Sequence, residues 1–257
     1  MTWRPVDCHA HSTFSDGELA PAEVAARAQA HGVRGSVTDH VSRDVAMSIT
    51  SVGHLRAYLD ALEPVDVLRG GEFCWHDDLW RELPDEIVPR FTHRIGSLHA
   101  VRLSDGSLVR AFSRRLPPGL TVGAYMGAHT ESFETLAREM PIDIVAHPTL
   151  VALPFRHHDP EELWTEERET RMVDALYAAG TAFEISARYP PPERLVRRAV
   201  HRGVRISLGS DGHTFDQVAD VRRPLALARA AGVADEDLYD PARHGSRTGG
   251  APAPRRP

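Results

Sequence analysis

Short apolar segments alternate with longer amphipathic segments along most of the chain. The short segments have the length and composition of strands and cover residues 5–8, 35–38, 65–70, 94–98, 142–146, 181–185 and 204–208. The longer segments have helical periodicity and cover residues 21–31, 53–62, 125–140, 161–179, 191–202 and 224–231. Because strands and helices alternate, the pattern predicts an α/β fold with a parallel sheet.

The number of predicted strands favours a closed sheet. Seven strands within about 230 residues fit a parallel barrel better than an open sheet. Residues 100–118 carry polar, Gly and Pro positions and are predicted to form a loop. We expect one domain over residues 1–240, followed by a disordered tail at residues 241–257, which are rich in Gly, Pro and Arg.

The composition is that of an ordinary globular protein. Of the 257 residues, 42% are hydrophobic and 26% are charged. No apolar run reaches the ~18 residues of a membrane span, and the N-terminus lacks the apolar segment of a signal peptide, so we expect a cytoplasmic protein without a membrane partner. The net charge of −6 argues against a dedicated duplex-DNA binder. Cys8 and Cys74 form neither a disulfide framework nor a CxxC zinc motif.

Two residue counts limit the possible chemistry. All 30 basic residues are arginine, which excludes mechanisms that need a Schiff-base, P-loop or carbamylated lysine. The chain also contains 15 histidines, which indicates either a metal site or an unusual abundance of surface histidine.

Many histidines and acidic residues follow the predicted strands directly. They are His9, His11, His40, Glu72, His99, His147, Asp211 and His213, and Asp16 in Ser15-Asp16-Gly17 is a further candidate in the loop after the first predicted strand. Because the carboxyl ends of barrel strands meet on one face, residues far apart in sequence would lie together there. Six imidazoles and three carboxylates exceed the needs of one tetrahedral zinc, so the set predicts two or three divalent metal ions.

Each of these residues alone has a plain structural explanation. Asp16 could form only a turn, and His40 could be a hydrogen-bonded core histidine with Asp39 fixing its tautomer. Glu184 fits a supporting or barrel-lining role better than a catalytic one. Phe73, Trp75 and Trp80 could form the wall of a pocket or part of the core. It is improbable that all of these structural explanations hold at once, and this favours a metal site.

The ordered motifs resemble those of the polymerase and histidinol phosphatase (PHP) family. The resemblance covers about residues 4–232 and rests on His9-Ala10-His11-Ser12, Ser15-Asp16-Gly17, Thr38-Asp39-His40, Gly71-Glu72, Gly96-Ser97-Leu98-His99, Ala146-His147-Pro148 and Gly209-Ser210-Asp211-Gly212-His213. It implies a distorted seven-stranded, TIM-like (β/α)7 barrel with a trinuclear centre. The metals reported across the family are zinc, iron and manganese, and the nitrogen and oxygen ligands suit all three.

The resemblance also implies how the ligands are shared. One metal would be held by His9, His11, Glu72 and Asp211. Glu72 would bridge to a second metal held by His99 and His147, and Asp16, His40 and His213 would hold the third. A metal-bridging hydroxide would attack the phosphorus of a phosphoester, with Asp211 or His213 as a candidate proton shuttle.

The histidinol-phosphatase branch of the family is the most similar in length and in motif. It implies a small-molecule phosphate monoester such as histidinol phosphate as substrate, with Arg156 and Arg188 as candidate phosphate-binding residues. Solvated surface arginine is the alternative for both residues. A nucleotide or oligonucleotide phosphodiesterase and a non-catalytic, metal-binding accessory module remain as alternative functions. Nucleic acid is a possible partner, and the oligomeric state is not predicted.

Overall fold

The computed structural model describes residues 4–246. The α-helices are α1 (Pro21–His31), α2 (Val52–Leu62), α3 (Val122–Glu139), α4 (Pro160–Leu163), α5 (Glu166–Ala179), α6 (Glu193–His201), α7 (Arg222–Ala230) and α8 (Pro241–His244). The strands are β1 (Ser36–Val37), β2 (His40–Val41), β3 (Leu68–Arg69), β4 (Glu72–Cys74), β5 (Ile95–Ser97), β6 (Ala100–Arg102), β7 (Leu108–Arg110), β8 (Ile144–Val145), β9 (Ala182–Ser186) and β10 (Ile206–Gly209).

A six-stranded parallel sheet forms the centre of the molecule. Its strand order is β10-β9-β8-β5-β4-β2, and the parallel pair β1-β3 lies beside it in sequence and in space. All residues of β4, β5, β8, β9 and β10 are buried, which fits strands covered on both faces. The predicted α/β fold with a parallel sheet is therefore confirmed.

Local sequence signals explain where the main helices begin and end. The Glu23 carboxylate accepts a hydrogen bond from the Ala20 N–H in front of α1, and Gly32 ends this helix in the left-handed region. Thr165 caps α5 by accepting from the Arg168 N–H, and Gly180 ends it with a positive φ. None of the helices in the described part of the chain is long and apolar enough to cross a membrane.

The predicted closed seven-stranded barrel is not observed. The first predicted strand, residues 5–8, is not a regular strand in the structure. Residues 5–11 lie between β10 and β1 and form only isolated bridges, such as Val6 with Arg34 and Ala10 with Gly212. Ten short strands in three sheets replace the seven predicted strands among the described residues.

Buried carboxylates explain why this segment does not form a regular ladder. The Asp7 carboxylate accepts hydrogen bonds from the backbone N–H groups of His9 and Ser210, and Asp39 accepts from that of Ser12. These N–H groups are therefore paired with side chains, whereas in a continuous ladder they would pair with a neighbouring strand.

Three further segments differ from the sequence prediction. The predicted loop at 100–118 contains the antiparallel hairpin β6-β7. The predicted helix at 161–179 is interrupted at Trp164, where α4 ends and the cap of α5 follows. The predicted disordered tail does not begin at residue 241, because Asp240 caps α8 by accepting from the Ala242 N–H. The rest of the predicted tail, residues 247–257, lies outside the described residues.

Candidate metal centre

Five of the histidines singled out in the sequence surround one buried carboxylate, that of Glu72. Glu72 begins β4 and is fully buried. Its oxygens lie 2.6 Å from His40 Nδ1, 3.1 Å from His147 Nε2, 3.3 Å from His99 Nε2, 3.5 Å from His9 Nε2 and 3.8 Å from His11 Nε2. The carboxyl ends of the strands thus bring together residues that lie far apart in the sequence.

The other two carboxylates, those of Asp211 and Asp16, lie on two sides of the cluster and contact histidines there. Asp211 Oδ1 lies 3.4 Å from His11 Nε2, and Asp16 Oδ1 lies 3.3 Å from His213 Nε2 and 3.5 Å from His40 Nε2. Among the described residues, three groups have one ligand atom from each residue within 4.8 Å of the others: His11, Asp16, His40 and His213; His9, His11 and Asp211; and His40, Glu72 and His99.

These groups differ in three respects from the ligand sharing that the resemblance implies. Glu72 is absent from the group of His9, His11 and Asp211. His11 joins the group of Asp16 as well as the group of Asp211. The group around Glu72 contains His40, whereas the implied second site contains His147, which contacts Glu72 from outside that group. The nine residues are together, and their division among individual ions stays a prediction.

Two residues of the cluster have unusual backbone conformations. His147 has a φ of 28° and Asp211 a φ of 51°, both in the left-handed region that non-glycine residues rarely adopt. Each stands two residues beyond a strand, after β8 and β10. Strained backbone persists where surrounding contacts hold it in place, and it occurs frequently at functional sites.

Asp39 supports the first loop of the site, and the prediction that it fixes the His40 tautomer is wrong. Its carboxylate accepts from the Ser12 N–H at 2.8 Å, from Ser12 Oγ at 2.6 Å and from Ser15 Oγ at 2.5 Å. Because its two oxygens are engaged by the segment before Asp16, Asp39 shapes the turn that presents Asp16 to the cluster.

The sequence analysis missed Asp7, which organises the opposite side of the site. Asp7 accepts from the Ser210 N–H at 2.8 Å and from Ser210 Oγ at 2.6 Å. Burial raises the pKa of Asp7 to about 6, against the hydrogen bonds from Ser210, which lower it. A charged residue within an apolar strand segment was the available signal. Asp7 thereby ties the His9 segment to the turn that carries Asp211.

Two further contacts orient imidazoles of the cluster. The fully buried Glu184 lies on β9, with Oε1 2.8 Å from His9 Nδ1 and Oε2 2.5 Å from the backbone nitrogen of His147. The fully buried Cys74 places its Sγ 3.1 Å from His99 Nδ1. Both contacts leave the Nε2 atom of the imidazole directed at Glu72, and nothing in the spacing of the motifs predicts the cysteine contact.

The electrostatics of the cluster favour ionised carboxylates. Burial opposes the charge of Glu72, but His40, His99 and His9 hold its pKa well below the usual range. Burial also opposes the charge of Asp211, whose pKa is nevertheless lowered, chiefly by His9 and His11. Ionised carboxylates are the form that binds metal ions.

The histidines of the cluster divide into two classes. Burial lowers the pKa of both His11 and His99 to about 3, so these rings are neutral at pH 7. Burial also opposes a charge on His9, but Glu184, Glu72 and Asp211 around it raise its pKa well above the usual value. His9 would release its proton on binding a metal ion, which makes metal binding dependent on pH.

Unpaired buried atoms show that the residues fit metal ions. His147 Nδ1 is buried and has no hydrogen-bond partner among the described residues, and the buried atoms Glu72 Oε2 and His40 Nδ1 have none beyond one another, at 2.6 Å. Buried polar atoms without partners are costly, and Glu72 Oε2 also faces several imidazole nitrogens. Carboxylate oxygen and imidazole nitrogen are the donors that zinc, manganese and iron accept.

A cleft of about 610 Å³ opens onto the cluster. The predicted phosphate-binding residue Arg188 lines it and places Nη1 2.8 Å from His213 Nδ1. Phe112 and Tyr189 form aromatic walls of the cleft. Arg156 stacks on both rings and donates to the carbonyl oxygens of Val151 and Ala111, so its guanidinium supports the wall.

The three aromatic residues considered as pocket walls lie elsewhere. Phe73 and Trp80 are buried in the hydrophobic core, at 1% and 8% exposure. Trp75 lines a separate surface cleft together with Arg102, whose guanidinium lies over the indole ring.

Comparisons with known proteins were made in sequence and in structure. No protein-family profile matches the chain. The DNA polymerase/3'-5' exonuclease PolX of Bacillus subtilis (strain 168) is 24% identical over 237 residues, which are 87% of this chain and 36% of that protein. The chain therefore spans about a third of the length of this curated relative.

The structural comparison shows the fold. The crystal structure of histidinol phosphate phosphatase (HISK) from Lactococcus lactis subsp. lactis Il1403, complexed with zinc, L-histidinol and phosphate, has a TM-score of 0.70 at 19% identity and covers 90% of this chain and 95% of its own. The dihydropyrimidinase from Brevibacillus agri NCHU1002 has a TM-score of only 0.39 at 11% identity, covering 79% of this chain and 46% of its own. The α/β fold is thus shared with a histidinol phosphatase and a DNA polymerase is similar in sequence, and both findings support the predicted resemblance to the polymerase and histidinol phosphatase family.

Proposed function

We propose that the chain is a metal-dependent phosphoesterase that hydrolyses a small-molecule phosphate monoester such as histidinol phosphate. The observation that carries this proposal is the convergence of four imidazoles within 3.5 Å of the Glu72 carboxylate. The zinc, histidinol and phosphate in the structurally similar enzyme support the same chemistry. We further propose two or three divalent ions, either zinc, manganese or iron, with the nine residues of the cluster as their ligands.

Metal ions bound in such a cluster neutralise phosphate oxygens and lower the pKa of water, which supplies a nucleophile at neutral pH. The protein's own contribution is to keep the ligand side chains in the required charge states and positions. Glu72 is ionised and lies at the centre of the cluster, and the buried imidazoles of His11 and His99 are neutral, so each can offer a nitrogen lone pair to a metal ion. Burial keeps these groups oriented and limits competition from bulk water.

Asp211 and His213 stay the candidates for proton transfer. Both line the cleft, and His213 Nδ1 lies 3.7 Å from Asp211 Oδ1. A proton taken up at His213 would therefore lie beside an ionised carboxylate. His213 is more exposed than Asp211, with a side chain at 16% against 4%, which places it nearer to solvent for proton exchange.

Arg188 is the better of the two proposed phosphate-binding residues. Its side chain is 36% exposed, lines the cleft and has Nη1 3.7 Å from Asp211 Oδ1. A guanidinium there can bind two oxygens of a phosphate group as it enters. Arg156 uses Nε and Nη2 on backbone carbonyls, so we propose that it positions Phe112 and Tyr189 and contributes positive charge only at a distance.

A nucleotide or oligonucleotide phosphodiesterase is the second candidate function. The similarity to a polymerase with 3'-5' exonuclease in its name favours it, although the chain spans only 36% of that protein. The aromatic walls provided by Phe112 and Tyr189 would also suit a nucleobase, since aromatic side chains stack on any base.

Phosphate release from a panel of substrates separates these candidates. The panel contains histidinol phosphate, mononucleotides, a bis-nitrophenyl phosphodiester and short oligonucleotides, each assayed with zinc, manganese or iron(II). We expect turnover of a monoester in wild type and in Glu63→Ala, a control at an exposed carboxylate. Glu72→Ala should lose both turnover and metal loading.

Each of the other outcomes would support a different function or overturn the proposal. Turnover only of diesters or oligonucleotides would replace the monoesterase by the phosphodiesterase. Full metal loading without any turnover would support a metal-binding accessory module. An active, metal-replete Glu72→Ala variant would overturn the metal-centre proposal.

A further inference from the structure

The carboxylate of Glu184 joins two residues on opposite flanks of the Glu72 cluster. Oε1 lies 2.8 Å from Nδ1 of His9, and Oε2 lies 2.5 Å from the backbone nitrogen of His147. Glu184 is fully buried in the middle of β9, between β8 and β10. It does not line the cleft, and it belongs to none of the three groups of candidate metal ligands.

The contact with His9 determines which ring nitrogen carries a proton. A carboxylate has only acceptor atoms, so the ring must donate from Nδ1 to Glu184. In the neutral ring, Nε2 then keeps its lone pair, and this atom faces Glu72 at 3.5 Å, His11 Nε2 at 3.1 Å and Asp211 at 3.9 Å. This is the tautomer that can bind a metal ion on the side of the cluster.

The contact with His147 holds a strained backbone. The φ of His147 is 28°, which an L-residue adopts only when neighbouring contacts enforce it. Its N–H donates to Glu184, and its Nε2 reaches Glu72 Oε1 at 3.1 Å. The same carboxylate therefore orients the ring of His9 and the backbone of His147 from behind.

The neighbouring strand leaves room for this carboxylate. A Cβ atom at Gly209 on β10 would lie 2.2 Å from Glu184 Oε1 and 2.9 Å from His9 Cβ, distances that exclude any side chain without movement. The φ of Gly209 lies outside the positive range, so space and not backbone conformation requires the glycine. Gly209 thus supports the placement of Glu184 against His9.

We propose that Glu184 is a positioning residue that sets the tautomer of His9 and the backbone of His147, so that metal binding on both flanks of Glu72 depends on it. This inference rests on the proposed metal centre. Glutamine at position 184 has one acceptor oxygen and one donor NH₂ in place of two acceptors. It can accept from the His147 N–H only by offering its NH₂ to His9 Nδ1, which moves the ring proton to Nε2. The opposite orientation leaves the His147 N–H facing another donor.

The test compares two buried carboxylates. Zinc stoichiometry after dialysis, the zinc dissociation constant and the imidazole 15N shifts are measured for wild type, Glu184→Gln and Glu169→Gln. Glu169 is also buried but lies on α5 and pairs with Arg194. We expect Glu184→Gln to weaken zinc binding roughly 10–100-fold, to retain fewer ions and to change the His9 15N shifts. Glu169→Gln should bind zinc as wild type does.

A second variant covers the case in which Glu184→Gln fails to fold. Gly209→Ala keeps the carboxylate but displaces it, and it should weaken zinc binding in the same direction. Wild-type zinc affinity and His9 15N shifts in a folded Glu184→Gln or Gly209→Ala protein would overturn the positioning role. If wild type itself binds no metal, the proposed function fails, and that outcome is distinct from a failure of Glu184 alone.

Discussion

His40 Nδ1 lies 2.6 Å from Glu72 Oε2, and neither atom has a hydrogen-bond partner beyond the other among residues 4–246. Both atoms are buried. Against the effect of burial, Glu72 raises the pKa of His40, so a proton shared at this contact holds the pair together, and a metal ion bound by these residues would displace it. Metal binding would therefore compete with a proton at this pair.

Metal binding should stabilise the folded protein through this pair. A ligand that binds only the folded state at 1,000 times its Kd adds about 4 kcal/mol to the free energy of unfolding. For a chain of this size, that corresponds to a rise in Tm of about 10 °C. We expect differential scanning fluorimetry to show such a rise with zinc and its reversal by EDTA in wild type and in Glu63→Gln. Glu72→Gln should lose most of the response, and an unchanged response would contradict the role of Glu72.

Asp39 should support both folding and the Asp16 side of the site. Asp39→Asn retains one acceptor oxygen for the three donors from Ser12 and Ser15. Loss of buried hydrogen bonds to a charged group predicts a decrease of about 2 kcal/mol in the free energy of unfolding in urea. Zinc titration should also show weaker binding. Asp174→Asn, which removes an exposed ion pair with Arg202, is the control and should change neither quantity appreciably.

Arg188 and Arg156 should differ in what their removal changes. Arg188→Gln removes a cation from the cleft, and we expect kcat/KM for a phosphate monoester to fall about 10–100-fold with little change in Tm. Arg156→Gln removes hydrogen bonds to the carbonyls of Val151 and Ala111, and we expect mainly a lower Tm. Steady-state kinetics and thermal unfolding of both variants check this division. Equal kinetic losses would show that both guanidinium groups act on the phosphate.

His129 should make the fold sensitive to acid. Burial lowers the pKa of His129 in the folded state to about 4, below the 6.5 of an exposed histidine. The unfolded state therefore binds more protons between pH 6.5 and pH 4, so this residue costs stability as the pH falls through that window. The expected cost is about 3 kcal/mol once the pH is below 4.

Urea unfolding at pH 7 and pH 5 measures this effect. His129→Gln should lose less stability on acidification than wild type, because glutamine does not titrate and can still donate to the Leu150 carbonyl. His54→Gln changes an exposed histidine on α2 and should behave as wild type. Equal acid sensitivity in wild type and His129→Gln would exclude His129 as the cause.

The sequence predicts the cluster better than it predicts the sheet. His9, Glu72 and Asp211 could be identified because ligand types recur at strand ends, whatever the regularity of the strands. The hydrophobic pattern could not show whether the barrel closes, because closure depends on the backbone hydrogen bonds of residues 5–11. That pairing is altered by the carboxylates of Asp7 and Asp39, which accept from backbone N–H groups.

The supporting residues were the hardest to predict for a physical reason. Cys74 acts through a contact of 3.1 Å to His99, and no local periodicity encodes such a pair; for Glu184 the sequence indicated a supporting role but not its contact with His9 at 2.8 Å. Asp39 stands next to His40 in sequence yet contacts Ser12 and Ser15, because adjacent residues on an extended chain point to opposite sides.

The metal content of the purified wild-type protein tests the central claim most directly. Inductively coupled plasma mass spectrometry, after exhaustive dialysis against metal-free buffer, counts the ions bound per chain. We expect two to three equivalents of zinc, manganese or iron, which Glu72→Ala loses and Glu63→Ala retains. A wild-type protein that binds no metal, even after incubation with each of the three ions, would contradict it.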